Sequence, residues 1–128
     1  MGLVLSERYI EEMVAHAREE APNECCGVIA GQKGWPTKLF RVPNTAASPY
    51  RYLGDPWVLR RVWRECIGRG WGLLAIYHSH PTSAAYPSPA DARLAVWPSV
   101  FYVVVSLQRP ESPEVCVFRI EGGRVKEG

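Results

Sequence analysis

Apolar residues recur at three- and four-residue spacing near the start of the chain, at Ile10, Met13, Val14 and Ala17. That period lays them along one face of a helix, and it predicts a helix from a Ser6 cap to about Glu20. His16 lies off the stripe and is expected to be a solvated helix residue. Leu3 to Leu5 reads as a short first strand. Past the Ala21-Pro22-Asn23 break the pattern changes. Glu24 to Ala30 is apolar after its first residue, as a buried strand would be. Thr37 to Val42 follows across a Gly31 to Gly34 turn, which predicts a hairpin. Pro43 to Pro49 reads as a loop and Tyr50 to Leu53 as another short strand.

Asp55-Pro56 combines a capping side chain with proline at the first helical position, predicting a helix to about Ile67. Gly68, Gly70 and Gly72 come after a helix and before a strand. A phosphate-cradling loop needs the reverse order, so these glycines read as a helix stop and turn. Leu73 to Tyr77 is an apolar strand that runs into His78-Ser79-His80-Pro81. A loop continues to Pro87, and Ser88-Pro89 starts a helix predicted to reach about Val96. Val100 to Leu107 has the continuous apolar pattern of a strand buried on both faces. Val115 to Ile120 and Arg124 to Lys126 form a last hairpin about Gly122-Gly123. The order predicts an α/β fold, a mixed sheet flanked by helices, with residues 1–128 as a single domain.

Composition narrows the function classes. Of the 128 residues, 47% are hydrophobic and 22% charged, enough apolar material for a core. A net charge of +2 is too mild to argue for nucleic acid or an anionic membrane as partner, and neither is expected. The densest basic cluster, Arg60, Arg61 and Arg64, falls on the wet face of the second helix. Charged Glu7, Arg8, Glu11 and Glu12 occupy the place of a signal peptide's apolar region, and no run is long enough to span a membrane, so a cytoplasmic location is expected. Cys25, Cys26, Cys66 and Cys116 form no C-x-x-C pair and are expected to be free thiols. Five tryptophans exceed the needs of the core, and one or two are expected on a homodimer or partner surface.

His78 and His80, two residues apart at a strand end, project from the same face and can reach one ion. Asp91, on the first turn of the following helix, can swing back toward them. Two imidazoles and one carboxylate suit Zn²⁺ with a fourth position open, the arrangement of catalytic rather than structural zinc. Such a site needs a general base nearby, and Glu24, heading an otherwise apolar strand, is the candidate. Taken singly, each residue has a plain explanation: two structural histidines, a Ser88 helix cap, an Asp91 favoured by the helix dipole, an exposed Glu24 at a strand entry.

The combination resembles a known motif. Glu24 before an apolar strand, then His78-Ser79-His80-Pro81, then Ser88-Pro89-Ala90-Asp91, is similar to the signature of the JAMM (MPN+) zinc metalloproteases, with no position substituted. The stretch Asn23 to Gly31 also resembles the strand carrying that family's catalytic glutamate. The resemblance implies a curved mixed sheet flanked by helices, related to the cytidine deaminase fold. It implies one Zn²⁺ per chain on His78, His80 and Asp91. Glu24 would move a proton from water to the leaving amine, and Ser88 would donate to the oxyanion. Members cleave the amide bond after the C-terminal Gly-Gly of ubiquitin-like proteins, and the chain looks like the small prokaryotic branch that acts on sulfur-carrier proteins. Tyr50, Arg51, Tyr52 and Leu53, with Thr82 and Ser83 in the loop to Pro87, are the candidate groove for the carrier tail. Two other readings compete. One is a peptidase releasing cysteine or another small amine from a sulfur-carrier end; the other is a non-catalytic module that binds a β-grasp partner. A zinc nucleoside deaminase is disfavoured, because its His-x-Glu and Pro-Cys-x-x-Cys elements are absent.

Overall fold

The computed structural model describes residues 2–128. Helix α1 (Glu7–Glu20) leads into strands β1 (Cys26–Gln32) and β2 (Trp35–Val42), helix α2 (Pro56–Arg69) and strand β3 (Gly72–His80). Helix α3 (Pro89–Leu94) and strands β4 (Phe101–Ser106), β5 (Glu114–Glu121) and β6 (Arg124–Glu127) complete the order. The strands form one sheet in the order β2-β1-β3-β4-β5-β6. Only β3 and β4 pair in parallel, and α3 lies in the crossover between them. The α/β class, with a mixed sheet flanked by helices, is as expected.

Strand period two sorts β3 into two faces. Ala75 and Tyr77 join Ile29, Val103 and Val105 in a core covered by Met13 and Ala17 of α1. Ile76 turns the other way, toward the Val62 and Cys66 face of α2 and toward Ala92 of α3. His78 and His80 follow Ile76 onto that second face. Helix α2 starts where Asp55 accepts from the Trp57 and Val58 N–H groups, and it stops at Gly70, whose φ of 72° is left-handed.

Several local expectations are corrected. Leu3 to Leu5 forms no strand, although Leu3 and Leu5 pack against the α1 core. Tyr50 to Leu53 forms no strand either: it finds no neighbouring ladder, and an isolated Asn44–Gly54 bridge and hydrogen bonds with Asn44 and Thr45 tie it instead. Strand β3 extends through both histidines, and α3 ends at Leu94 rather than Val96. Strand β1 begins at Cys26, leaving Glu24 just outside the ladder. His16 is buried, not solvated: its Nδ1 lies 2.7 Å from the Tyr77 hydroxyl.

All four cysteines are free, with Cys25, Cys26 and Cys66 buried. Burial pushes the Cys25 thiol up to about 11 and the Cys26 thiol up to about 12, so both are protonated and unreactive at neutral pH. Trp35, Trp57, Trp63 and Trp97 are exposed. Among the described residues, no helix is long and apolar enough to cross a membrane.

Candidate metal centre

The C-terminal end of β3 and the start of α3 bring three ligand-type side chains together. His78 Nε2 and His80 Nε2 are 3.1 Å apart, and each is 3.0 Å from Asp91 Oδ2. The strand supplies two imidazoles with a rigid two-residue bite. The helix start supplies the carboxylate through a capping box: Asp91 N–H donates to Ser88 Oγ at 3.0 Å, and Ser88 N–H donates to Asp91 Oδ2 at 2.8 Å. Ser88 Oγ acts there as acceptor, so its hydroxyl hydrogen is left over to donate elsewhere.

These residues fit a bound divalent cation. Tetrahedral coordination at about 2.0–2.1 Å separates nitrogen and oxygen ligands by about 3.3 Å, so the triangle needs to open only a few tenths of an ångström. His80 Nδ1 lies 2.9 Å from the Ala84 carbonyl, which can only accept. The proton of a neutral His80 therefore sits on Nδ1, and the Nε2 lone pair points into the triangle. Three lone-pair atoms packed together repel unless protons or a cation lie between them, and one cation satisfies all three. Burial holds the His78 proton affinity below the ordinary histidine value, partly offset by Asp91, so this ring is neutral at pH 7 and able to act as a ligand. Burial opposes the charge on Asp91, but hydrogen bonds with His78 and His80 outweigh it and hold the carboxyl well below the usual range. Burial also opposes charge on His80, while its bonds to Asp91 and the Ala84 carbonyl raise it overall.

Glu24 is only 3% exposed, and its Oε1 has no hydrogen-bond partner among the described residues. Burial lifts its carboxyl to about 7; His80 pulls the value down and Asp91 pushes it up, which places Glu24 within electrostatic reach of both. A buried, unpartnered carboxyl with raised proton affinity next to three ligand-type side chains is equipped to accept and return a proton.

The other candidate positions separate. Tyr52 stacks on the His78 ring, with centroids 4.6 Å apart and an interplanar angle of 21°. Tyr50, Arg51 and Leu53 are exposed beside it. Thr82 and Ser83 are exposed past the strand end, where the Ser83 carbonyl accepts from Ser106 Oγ at 2.6 Å. A cavity of about 150 Å³ opens next to Tyr52, lined by Cys26, Val28, Leu59, Leu94, Trp97 and Tyr102 among others. Sequence reasoning missed two members of the neighbourhood, the Ala84 carbonyl on His80 and the Asn44 side chain under the Tyr52 segment. A backbone acceptor carries no side-chain signal; Asn44 stood in a predicted loop, where asparagine is ordinary.

Residues 6–120 match the family described as prokaryotic homologs of the JAB domain. The chain is 39% identical over 127 residues to the CysO-cysteine peptidase of Mycobacterium tuberculosis, covering 98% of this chain and 87% of that protein. It is 42% identical over 106 residues to a probable TtuB-protein conjugate cleaving protease of Thermus thermophilus, covering 80% of this chain and 70% of that protein. The solution structure of a protein from Desulfitobacterium hafniense, 35% identical, superposes with a TM-score of 0.86 over 96% of this chain and 87% of that one.

Proposed function

The chain belongs to the family of prokaryotic JAB-domain homologues, the small prokaryotic branch of the JAMM proteases, and on that premise we propose that it is a zinc-dependent peptidase. Its substrate is the amide bond after the C-terminal Gly-Gly of a ubiquitin-like sulfur-carrier protein. The observation that carries this reading is the meeting of His78, His80 and Asp91 within 3.1 Å beside a buried, unpartnered Glu24 oxygen.

Zinc on His78, His80 and Asp91 would supply a Lewis acid that brings the acidity of water into the neutral range. Glu24 takes the proton of the attacking water and returns it to the leaving amine nitrogen, so one carboxylate serves as base and then as acid. The Ser88 hydroxyl, with its hydrogen free of the helix cap, donates to the carbonyl oxygen as negative charge builds there. Tyr52 covers the His78 ring and keeps it in plane. The segment 50–53 on one side and Thr82 and Ser83 on the other form the lips between which an extended Gly-Gly tail lies, a tail with no side chains to obstruct it.

The leaving group is either a protein lysine or a small amine such as cysteine. The match spanning 98% of the chain is to a CysO-cysteine peptidase, which favours the small amine as the second reading. The deciding experiment is mass spectrometry of products from β-grasp carriers ending in Gly-Gly, each linked to lysine, to cysteine or to a short peptide. Chelator-sensitive release of carrier with a free Gly-Gly end supports the peptidase, and the faster substrate picks the leaving group. No release from any of them by protein holding one zinc would favour a non-catalytic β-grasp-binding module instead.

A further inference from the structure

Glu24 and Cys25 precede the β1 ladder, so other parts of the chain must hold their backbone. Glu24 N–H donates to the Ser48 carbonyl at 2.9 Å. Cys25 N–H donates to Ser79 Oγ at 2.7 Å, and Ser79 N–H donates to the Cys25 carbonyl at 3.1 Å. The Glu24 carbonyl accepts from Asn44 Nδ2 at 3.0 Å.

Ser79 lies between His78 and His80, and Ser48 Oγ accepts from Tyr50 N–H at 3.1 Å, but Asn44 makes the most bonds into the segment that carries Tyr52. Its Nδ2 also donates to the Arg51 carbonyl at 3.1 Å, and its Oδ1 accepts from Ala46 N–H at 3.0 Å and Leu53 N–H at 2.8 Å. A primary amide has two donor hydrogens and two acceptor lone pairs, and here all four are used. Both partners of Nδ2 are carbonyls and both partners of Oδ1 are N–H groups, so only one orientation of the amide works. Arg51 and Leu53 flank Tyr52, whose ring lies on His78. One side chain therefore joins the backbone of Glu24 to both neighbours of Tyr52.

We propose that Asn44 is a positioning residue that locks the Glu24 base and the Tyr52-bearing lip into one unit. The assignment rests on the peptidase reading for its kinetic consequence, but not for the coupling itself. Aspartate has the same shape and keeps both acceptor bonds, yet it sets a charged oxygen against the Glu24 and Arg51 carbonyls. Thr45 is the internal control: its Oγ1 donates to the Leu53 carbonyl at 3.0 Å and so supports the lip without touching Glu24.

The test uses the full zinc-loaded chain and a carrier ending in Gly-Gly linked to cysteine or lysine. Asn44→Ala and Asn44→Asp should each lower kcat by about 10- to 100-fold with one zinc retained, the scale expected when a reacting group is misplaced by about an ångström. Thr45→Val should raise KM while kcat stays within about twofold. Amide hydrogen exchange supplies a readout independent of turnover: Asn44→Ala should speed exchange at both Glu24 and Leu53, Thr45→Val near Leu53 alone. An unchanged kcat in Asn44→Ala, or a loss that only tracks lost zinc or folded fraction, overturns the proposal, as does faster exchange confined to Leu53. If the wild-type chain cleaves no carrier, the peptidase reading fails, and the exchange experiment still decides whether Asn44 couples the two segments.

Discussion

The two faces of β3 each bury a histidine cluster, and the clusters are finished in opposite ways. Under α1, His16 and Tyr77 form a closed pair: Nδ1 and hydroxyl lie 2.7 Å apart and the rings meet edge to face at 5.8 Å. Gly27 makes room for it, since a Cβ there would stand 2.2 Å from the Tyr77 ring. On the other face, His78, His80 and Asp91 crowd three ligand atoms together, while Glu24 Oε1 and His78 Nδ1 have no partner among the described residues. A polar group buried for structure has its hydrogen bonds completed. A polar group buried for chemistry is left with capacity to spare, at a cost in stability. The contrast lies in particular atoms rather than in burial, because all three histidines are buried: His16 Nδ1 has the Tyr77 hydroxyl, while His78 Nδ1 has no partner among the described residues.

The largest expected effect falls on the open cluster. His78→Ala or Asp91→Ala should abolish both the bound zinc equivalent and turnover; a full equivalent retained by metal analysis would remove that residue from the ligand set. Glu24→Gln should keep zinc and lower kcat by about 10²–10⁴, the range for a general acid–base group; unchanged turnover would take Glu24 out of the mechanism. Ser88→Ala should lower the rate by about 10²–10³ through the lost oxyanion donor. A residue that only capped α3 would instead cost about 1 kcal/mol of stability with activity intact.

The smallest effect is the one that compares the faces directly, through pH. Glu24 binds its proton more tightly folded, near 7, than unfolded, near 4.5. Zinc-free protein should therefore lose stability from this group as pH rises from about 4.5 to about 7. His16 is shifted the other way: burial, aided by Arg41, lowers it below 6.5, against an upward pull from Glu20, Glu19 and Glu12. Its contribution is present above pH 6.5 and lost as pH falls below. Urea midpoints of chelated protein against pH should show Glu24→Gln removing the first slope and His16→Gln the second. The same sign of change in both variants would break the comparison. His16→Gln should leave zinc content and turnover untouched.

The sequence was most legible where one residue type repeats in a regular pattern or a motif is contiguous. The apolar run of β4 and the Asp55-Pro56 helix start read correctly, and His78, His80 and Asp91 come together as their spacing predicts. It was least legible where the deciding partner lies far along the chain. His16 was misread because Tyr77, 61 positions away, gives it a reason to be buried; the weak local sign was its i+3 spacing from Met13. Tyr50 to Leu53 alternates like a strand, but alternation cannot show whether a free sheet edge is there to receive it. Asn44 shares this blindness, since its four partners come from residues 24, 46, 51 and 53.

The ligand set lies within one short stretch of chain, from His78 to Asp91, whereas Glu24 reaches it only once β1 has paired with β3. Closing the short loop costs little chain entropy, and the long-range pairing costs more. A refolding chain can thus bring its three ligand-type side chains together before Glu24 arrives beside them. The sequence separation sets an order of assembly in which the candidate ligands come ahead of the candidate base.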